Sequence, residues 1–152
     1  MKLGGTIEIA APAAEVWARM VDPRSLAACV PGVGDVLQVD EQTFQGTVTA
    51  SVGPIEGRFA FTSVLVEEEF PDRLVVRVEG VDSVTKSRLI ADVESSVADR
   101  GAADTVLTYR ANVAVKGRLA ILGEMVLRAT ANAMIGQVTR CLRDQLEAAA
   151  SR

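Results

Sequence analysis

Residues Arg118 to Ala149 read RLAILGEMVLRATANAMIGQVTRCLRDQLEAA. The run has no proline, glycine interrupts it only at Gly123 and Gly136, and Ala, Leu, Met, Arg and Glu dominate, so it predicts one long C-terminal helix. At about 100° per residue, Leu127, Met134, Val138, Cys141 and Leu142 share one arc, while Arg128, Asn132, Arg143 and Glu147 face away. The opening turns, Leu119 to Leu127, are apolar nearly all round. That predicts burial on more than one side, an exposed patch, or contact with something outside this chain.

Everything between Asp35 and Lys116 has the opposite character. Strand-like alternation keeps giving way to turn residues, with no helical period between them. The predicted strands are Val36 to Asp40, Thr43 to Ser51, Gly57 to Glu68, Arg73 to Glu79, Thr85 to Ala98 and Thr105 to Lys116. The short connections favour antiparallel hairpins, because a parallel return needs a dozen or more residues. Upstream, Ile7 and Ile9 alternate with Thr6 and Glu8 in a strand over Gly5 to Ile9. Pro12 then suits a helix start, with Val16, Trp17, Met20 and Val21 at helical spacing. Asp22-Pro23 pairs a good N-cap with a residue preset for the first turn, predicting a second short helix to about Cys29, closed by Pro31-Gly32.

The order is therefore strand, two short helices, six strands, long helix: an α+β chain forming a single domain over residues 1–150. One helix cannot cover seven flat strands, so a seven-stranded curved antiparallel sheet must wrap around the C-terminal helix, and the curl leaves space between them. Alternation turns Phe44, Val48, Phe59, Phe61, Leu74, Val76, Val78, Leu89, Val93, Leu107, Tyr109 and Val113 inward, with Gly46, Ala50, Gly57, Ala91 and Ala111 as small gaps. Such a mixture suits a cavity lining and an ordinary core alike. The expected ligand-binding cavity takes Leu26, Val30, Phe59, Phe61, Val76, Leu89, Tyr109, Met125 and Met134. A ligand carbonyl, a buried water or a backbone carbonyl could each satisfy the Tyr109 phenol. The methionines suit either plain core or a variable apolar ligand.

Composition excludes several function classes. The net charge of −4 leaves no basic surplus for a phosphate backbone, so no nucleic-acid partner is expected. The chain has no histidine, which removes the usual general base and the commonest metal ligand. No GxSxG, P-loop or dinucleotide fingerprint occurs, so neither a catalytic residue nor a cofactor or metal is expected. Glu67-Glu68-Glu69 reads as a solvated strand edge. Cys29 and Cys141 lie far apart among apolar neighbours and read as small core residues. No apolar run reaches the length of a membrane span, and the N-terminus turns directly into strand, so a cytoplasmic location is expected.

Four segments resemble the carbon monoxide dehydrogenase G-subunit family of the START-like, helix-grip superfamily: Pro12-Ala13-Ala14-Glu15-Val16-Trp17, Asp22-Pro23-Arg24-Ser25-Leu26-Ala27-Ala28-Cys29-Val30-Pro31-Gly32, Val52-Gly53-Pro54-Ile55 and Gly117-Arg118-Leu119-Ala120-Ile121-Leu122-Gly123. They occur in the family's order and span nearly the whole chain, the second being the most specific. The resemblance implies a helix-grip fold and an accessory protein that recruits a molybdenum hydroxylase to the membrane or its quinone pool. Two departures stand out. Where family members often carry a Gly/Ala-rich stretch, this chain has Gly80 to Ser87, and it stops at Ser151-Arg152 where many members continue into an apolar anchoring tail.

The combined expectation is a binding and delivery module. An apolar small molecule, a quinone or lipid-like tail, sits under the long helix, and Leu119, Ile121 and Leu122 meet a partner or the inner face of the membrane without spanning it. The alternatives are a cyclase or dehydratase of the same superfamily working through Tyr109, and a ligand-free assembly adaptor.

Overall fold

The computed structural model describes residues 1–150. Its elements run β1 (Lys2–Ile9), α1 (Ala13–Val21), α2 (Pro23–Cys29), β2 (Val33–Gln38), β3 (Thr43–Val52), β4 (Ile55–Glu69), β5 (Arg73–Asp82), β6 (Arg88–Gly101), β7 (Asp104–Lys116), a 3-10 turn (Arg118–Leu122) and α3 (Glu124–Ala150). The seven strands form one sheet in the order β1-β7-β6-β5-β4-β3-β2, with every neighbouring pair antiparallel. This is the α+β architecture expected from the order of elements, and it matches the helix-grip fold that the resemblance implies.

The two short helices form for local reasons. Pro12 enters α1 in extended conformation, and the helix buries Ala13, Val16, Trp17 and Met20 at helical spacing. Asp22 caps α2 as predicted: its carboxylate accepts from Arg24 N at 3.1 Å and from Ser25 Oγ at 2.9 Å, with Pro23 in the first turn.

Beyond shifts in the bounds of β1, β2 and β5, four features of this backbone and its pairing depart from the sequence reading. The long helix is interrupted: Arg118–Leu122 is a 3-10 turn, and Gly123, at φ 88° and ψ 159°, separates it from α3. An L-residue resists that conformation, so glycine ends the turn where Ala and Leu alone would have continued a helix. Strand β6 starts at Arg88 rather than Thr85, because the Asp82 carboxylate captures the amides of Val84 and Thr85 and curls residues 82–87 into a turn. A bulge between Leu65 and Glu67 turns Glu68 back toward α1, where it accepts from Trp17 Nε1 at 3.3 Å. Glu67 pairs with Arg73 at 2.8 Å, so two of the three glutamates have partners instead of forming a purely solvated edge.

The fourth departure concerns the cysteines. Cys29 and Cys141 form a disulfide, with Cα atoms 5.5 Å apart across a sequence separation of 112. Each does sit among apolar neighbours, but the fold brings the end of α2 onto α3, a proximity that linear spacing does not encode.

Buried apolar residues fall into two clusters. The larger joins Ile9, Val16, Trp17, Met20, Leu74, Val97, Leu107, Leu142 and Leu146, packing α1 and the C-terminal half of α3 onto one end of the sheet. The smaller centres on Leu3, Ala111 and Val113, with Ala131 and Ile135 of α3 against it. Polar links fix the end of α3: Ala10 N donates to Glu147 Oε1 at 3.1 Å, and Arg19 Nη1 to Gln145 Oε1 at 3.2 Å. Glu147 therefore turns toward β1 rather than away from the protein.

Candidate functional site

The register places Phe44, Val48, Phe59, Phe61, Ser63, Val78, Leu89, Ala91, Val93, Ser95 and Tyr109 on the concave face. All of them are only half-buried, although they face the inside of the curl. The larger cluster takes Val76 and Tyr109, and the smaller takes Leu89, Ala91 and Val93 together with Ala131 and Ile135 of α3. Phe44, Val48, Phe59, Phe61 and Val78, on β3 to β5, belong to neither cluster and form an apolar floor beside the helix.

The aromatic rings keep that floor low. A Cβ on Gly46 would lie 2.9 Å from Cζ of Phe61, one on Gly57 2.8 Å from Cε2 of Phe59, and one on Gly5 2.9 Å from the hydroxyl of Tyr109. Each ring lies down over a glycine on the same face instead of standing upright, an arrangement open only where no side chain occupies the neighbouring position. The pairs were present in the sequence as alternation, with Gly46 and Gly57 read as small gaps; what periodicity did not carry was that rings recline into those gaps.

Beside α3 lies an open cleft of ≈ 460 Å³ lined by Pro31, Gly32, Thr49, Ala50, Ser51, Ala129, Thr130, Ala133, Met134 and Gln137. Its volume falls within the range of small-molecule sites. Ala129 and Ala133, four residues apart, leave one flank of the helix bare. The disulfide lies just beyond: Cys141 follows Gln137 by one helical turn, and Cys29 immediately precedes Val30 and the lining residues Pro31 and Gly32. The bridge therefore ties the loop at this opening to the helix that forms its opposite wall.

The expected site residues are distributed as follows. Phe59 and Phe61 lie at the centre of the floor; Val76, Tyr109 and Leu26 lean on the larger cluster and Leu89 on the smaller. Val30 is half-buried at the C-cap of α2, and Met134 lines the cavity. Met125 is different: it is 86% exposed, because Gly123 restarts the helix with this residue turned to solvent. Of the three residues expected at a contact surface, Ile121 is 83% exposed and Leu119 only 1% exposed. Leu119 is the plug of the 3-10 turn, and Leu122 is half-buried beneath it. Ala50, read as a small gap on the inward face, lines the cleft too, whereas Pro31, Gly32, Thr49, Ser51, Ala129, Thr130, Ala133 and Gln137 went unrecognised as lining; small residues at four-residue spacing on α3 were the one available signal for these.

The floor offers little acid–base chemistry. Its ionisable positions are Glu68, Asp82 and Tyr109. Glu68 is engaged by Trp17. Asp82 is fully buried and accepts from Arg58 N at 2.8 Å, Thr85 N at 3.0 Å and Thr85 Oγ1 at 2.5 Å. Burial pushes its carboxyl up, but these hydrogen bonds together outweigh burial and hold it down at about 2. It is a structural anion. Among the described residues no cluster of His, Cys, Asp or Glu could hold a metal.

Comparison with known proteins adds to this geometry. The family model for the carbon monoxide dehydrogenase G subunit (CoxG) matches residues 5–147. None of the curated proteins matches in sequence. A conserved protein from Geobacillus kaustophilus superimposes with a TM-score of 0.88 at 19% identity, over 96% of this chain and 95% of that one. A START superfamily protein from Mycobacterium smegmatis gives 0.74 at 14% identity, over 96% and 97%. The ZhuI aromatase/cyclase from Streptomyces sp. R1128 gives 0.71 at 14% identity, over 97% and 93%. At such identities these likenesses show the fold alone.

Proposed function

The chain belongs to the carbon monoxide dehydrogenase G-subunit (CoxG) family, and on that premise we propose that it is an accessory carrier. It holds an apolar molecule, a quinone or lipid-like tail, on the concave floor beneath α3, and helps couple a molybdenum hydroxylase to the membrane. The observation that carries this reading is the floor itself: Phe59 and Phe61 recline on glycines, join neither packed cluster and stay only partly buried on a face where an ordinary core would be filled. The apolar rings with a few hydroxyls, from Ser63, Ser95 and Tyr109, resemble the apolar lining with sparse polar groups typical of small-molecule sites.

The cyclase reading draws no support from the floor, since its carboxylates are committed elsewhere and the chain has no histidine. The ligand-free adaptor reading has to account for the uncovered aromatic floor and the open cleft of ≈ 460 Å³ beside it. No helix among the described residues is long and apolar enough to cross a membrane.

A blocking substitution tests the reading. Ala133 is exposed on the helix flank that lines the cavity, so Ala133→Trp fills the opening without disturbing either packed cluster. Calorimetric titration with decylubiquinone should show saturable binding to the wild type and at least about a tenfold weaker affinity for Ala133→Trp, the usual penalty for overfilling a site. Equal affinity in the two proteins would place any bound quinone somewhere else.

A further inference from the structure

Three connections meet at one end of the molecule: the β3–β4 turn at Gly53-Pro54, the β5–β6 turn over residues 83–87, and the 3-10 turn that leads into α3. They touch. Leu119 N donates to Ser87 Oγ at 3.0 Å, and a Cβ on Gly53 would lie 3.1 Å from Cγ1 of Val126 and 3.9 Å from Cδ1 of Leu122. From this end Val84, Ile121 and Met125 project outward, 66%, 83% and 86% exposed.

Around them stand four exposed cations, Lys86, Arg88, Lys116 and Arg118. None forms an ion pair among the described residues, whereas Arg73, Arg77 and Arg110 on the convex face are each paired. Arg88 and Lys116 are direct cross-strand partners, a placement in which like charges repel. Carboxylates offset this only in part. Asp82 is buried and held by neutral amides and a hydroxyl, so it stays anionic, Glu56 is exposed on β4, and Glu124 is paired with Arg128, so the four cations outnumber the unpaired anions. A chain of net charge −4 thus presents one locally positive end carrying bare apolar side chains.

We propose that this end docks on an anionic lipid bilayer. Ile121, Met125 and Val84 enter the boundary between headgroups and acyl chains, while the four cations face lipid phosphates and relieve the Arg88–Lys116 repulsion. Large apolar side chains ringed by unpaired Lys and Arg are the chemistry of an interfacial membrane contact. The proposal deepens the carrier reading, which supplies its purpose, but the docking itself requires no bound ligand.

Flotation of the full chain with vesicles tests it, using phosphatidylcholine alone and phosphatidylcholine mixed with phosphatidylglycerol. The wild type should bind the anionic vesicles, bind neutral ones weakly, and release as salt shortens the screening length. Ile121→Asp should weaken binding by about tenfold or more. The double variant Lys116→Glu/Arg118→Glu should weaken it by about fivefold per charge. Both variants should keep the wild-type circular dichroism; if Ile121→Asp does not, the double variant decides. Absence of binding to anionic vesicles at low salt, or equal binding by the wild type and the double variant, overturns the proposal. Ala133→Trp separates the two readings, since it should lose quinone and still float with vesicles. A chain that takes up no quinone but floats would sink the carrier reading alone.

Discussion

Reducing the Cys29–Cys141 bridge, or replacing both cysteines with serine, is expected to lower the free energy of unfolding by about 3–5 kcal/mol, because the loop it closes is long and its loss frees the unfolded chain. The sequence separation is 112, near the upper end of loop sizes for a chain this long. The effect should also be local. With the bridge open, the loop at Pro31-Gly32 and the helix wall at Met134 and Gln137 are no longer tied together, so proteolysis should reach α2 first. Urea titration with and without dithiothreitol checks the prediction: the midpoint should fall with little change in slope. An unchanged midpoint would mean that the pair adds nothing to the oxidised protein. In a reducing compartment the two residues remain neighbours as thiols, so the redox poise of the surroundings sets which form prevails.

Removing the Asp82 carboxylate should be nearly as costly. Asp82→Ala leaves the amides of Arg58 and Thr85 and the Thr85 hydroxyl without their shared acceptor, at an expected cost of about 2–4 kcal/mol. The damage should spread along one chain of contacts. The hydroxyls of Thr85 and Ser87 are 2.8 Å apart, and Ser87 Oγ holds Leu119 N, so the turn that buries Leu119 and presents Ile121 loses its anchor. The pH dependence has a definite sign. The carboxyl is held at about 2 in the folded chain, below its ordinary 3.8, so its contribution is complete above that ordinary value and is lost as pH falls toward 2. Wild-type stability should therefore drop across this window, and the drop should be shallower in Asp82→Ala. Chemical denaturation at successive pH values reads this directly, and parallel pH profiles for the two proteins would rule out Asp82 as the source.

The sequence was most informative where a regular period ran uninterrupted. Six strands after two short helices, and the inward face from Phe44 to Val113, could be read from alternation, since a strand's side chains reverse face at every residue, and the short connections made them antiparallel. The cap at Asp22-Pro23 was legible because both residues act within their own turn. Features that depend on distant partners were not. Nothing in the sequence sets Asp82 apart from the other acidic residues, because its role arises only when Arg58 and the turn residues Val84 and Thr85 converge on it. Glu68 changed face through a bulge that alternation cannot register. The cysteine pair is made only when α2 and α3 pack together. At Gly123 the sequence did hold a signal, but the surrounding Leu and Ala favoured reading through it, which concealed both the buried Leu119 and the outward Met125.

The candidate site divides along the same line. Its floor follows from local pattern, whereas its opening is assembled from a loop, a strand and a helix flank whose small residues become meaningful only once they face one another. Ala50, Ala129 and Ala133 are ordinary in sequence and bound an opening in space.

Native mass spectrometry of the protein purified from its own host, followed by organic extraction of the same sample, addresses the carrier reading most directly. One apolar molecule per chain should accompany the wild type and be lost from Ala133→Trp. Wild-type protein that repeatedly flies at its bare polypeptide mass, with nothing recovered in the extract, would contradict the reading.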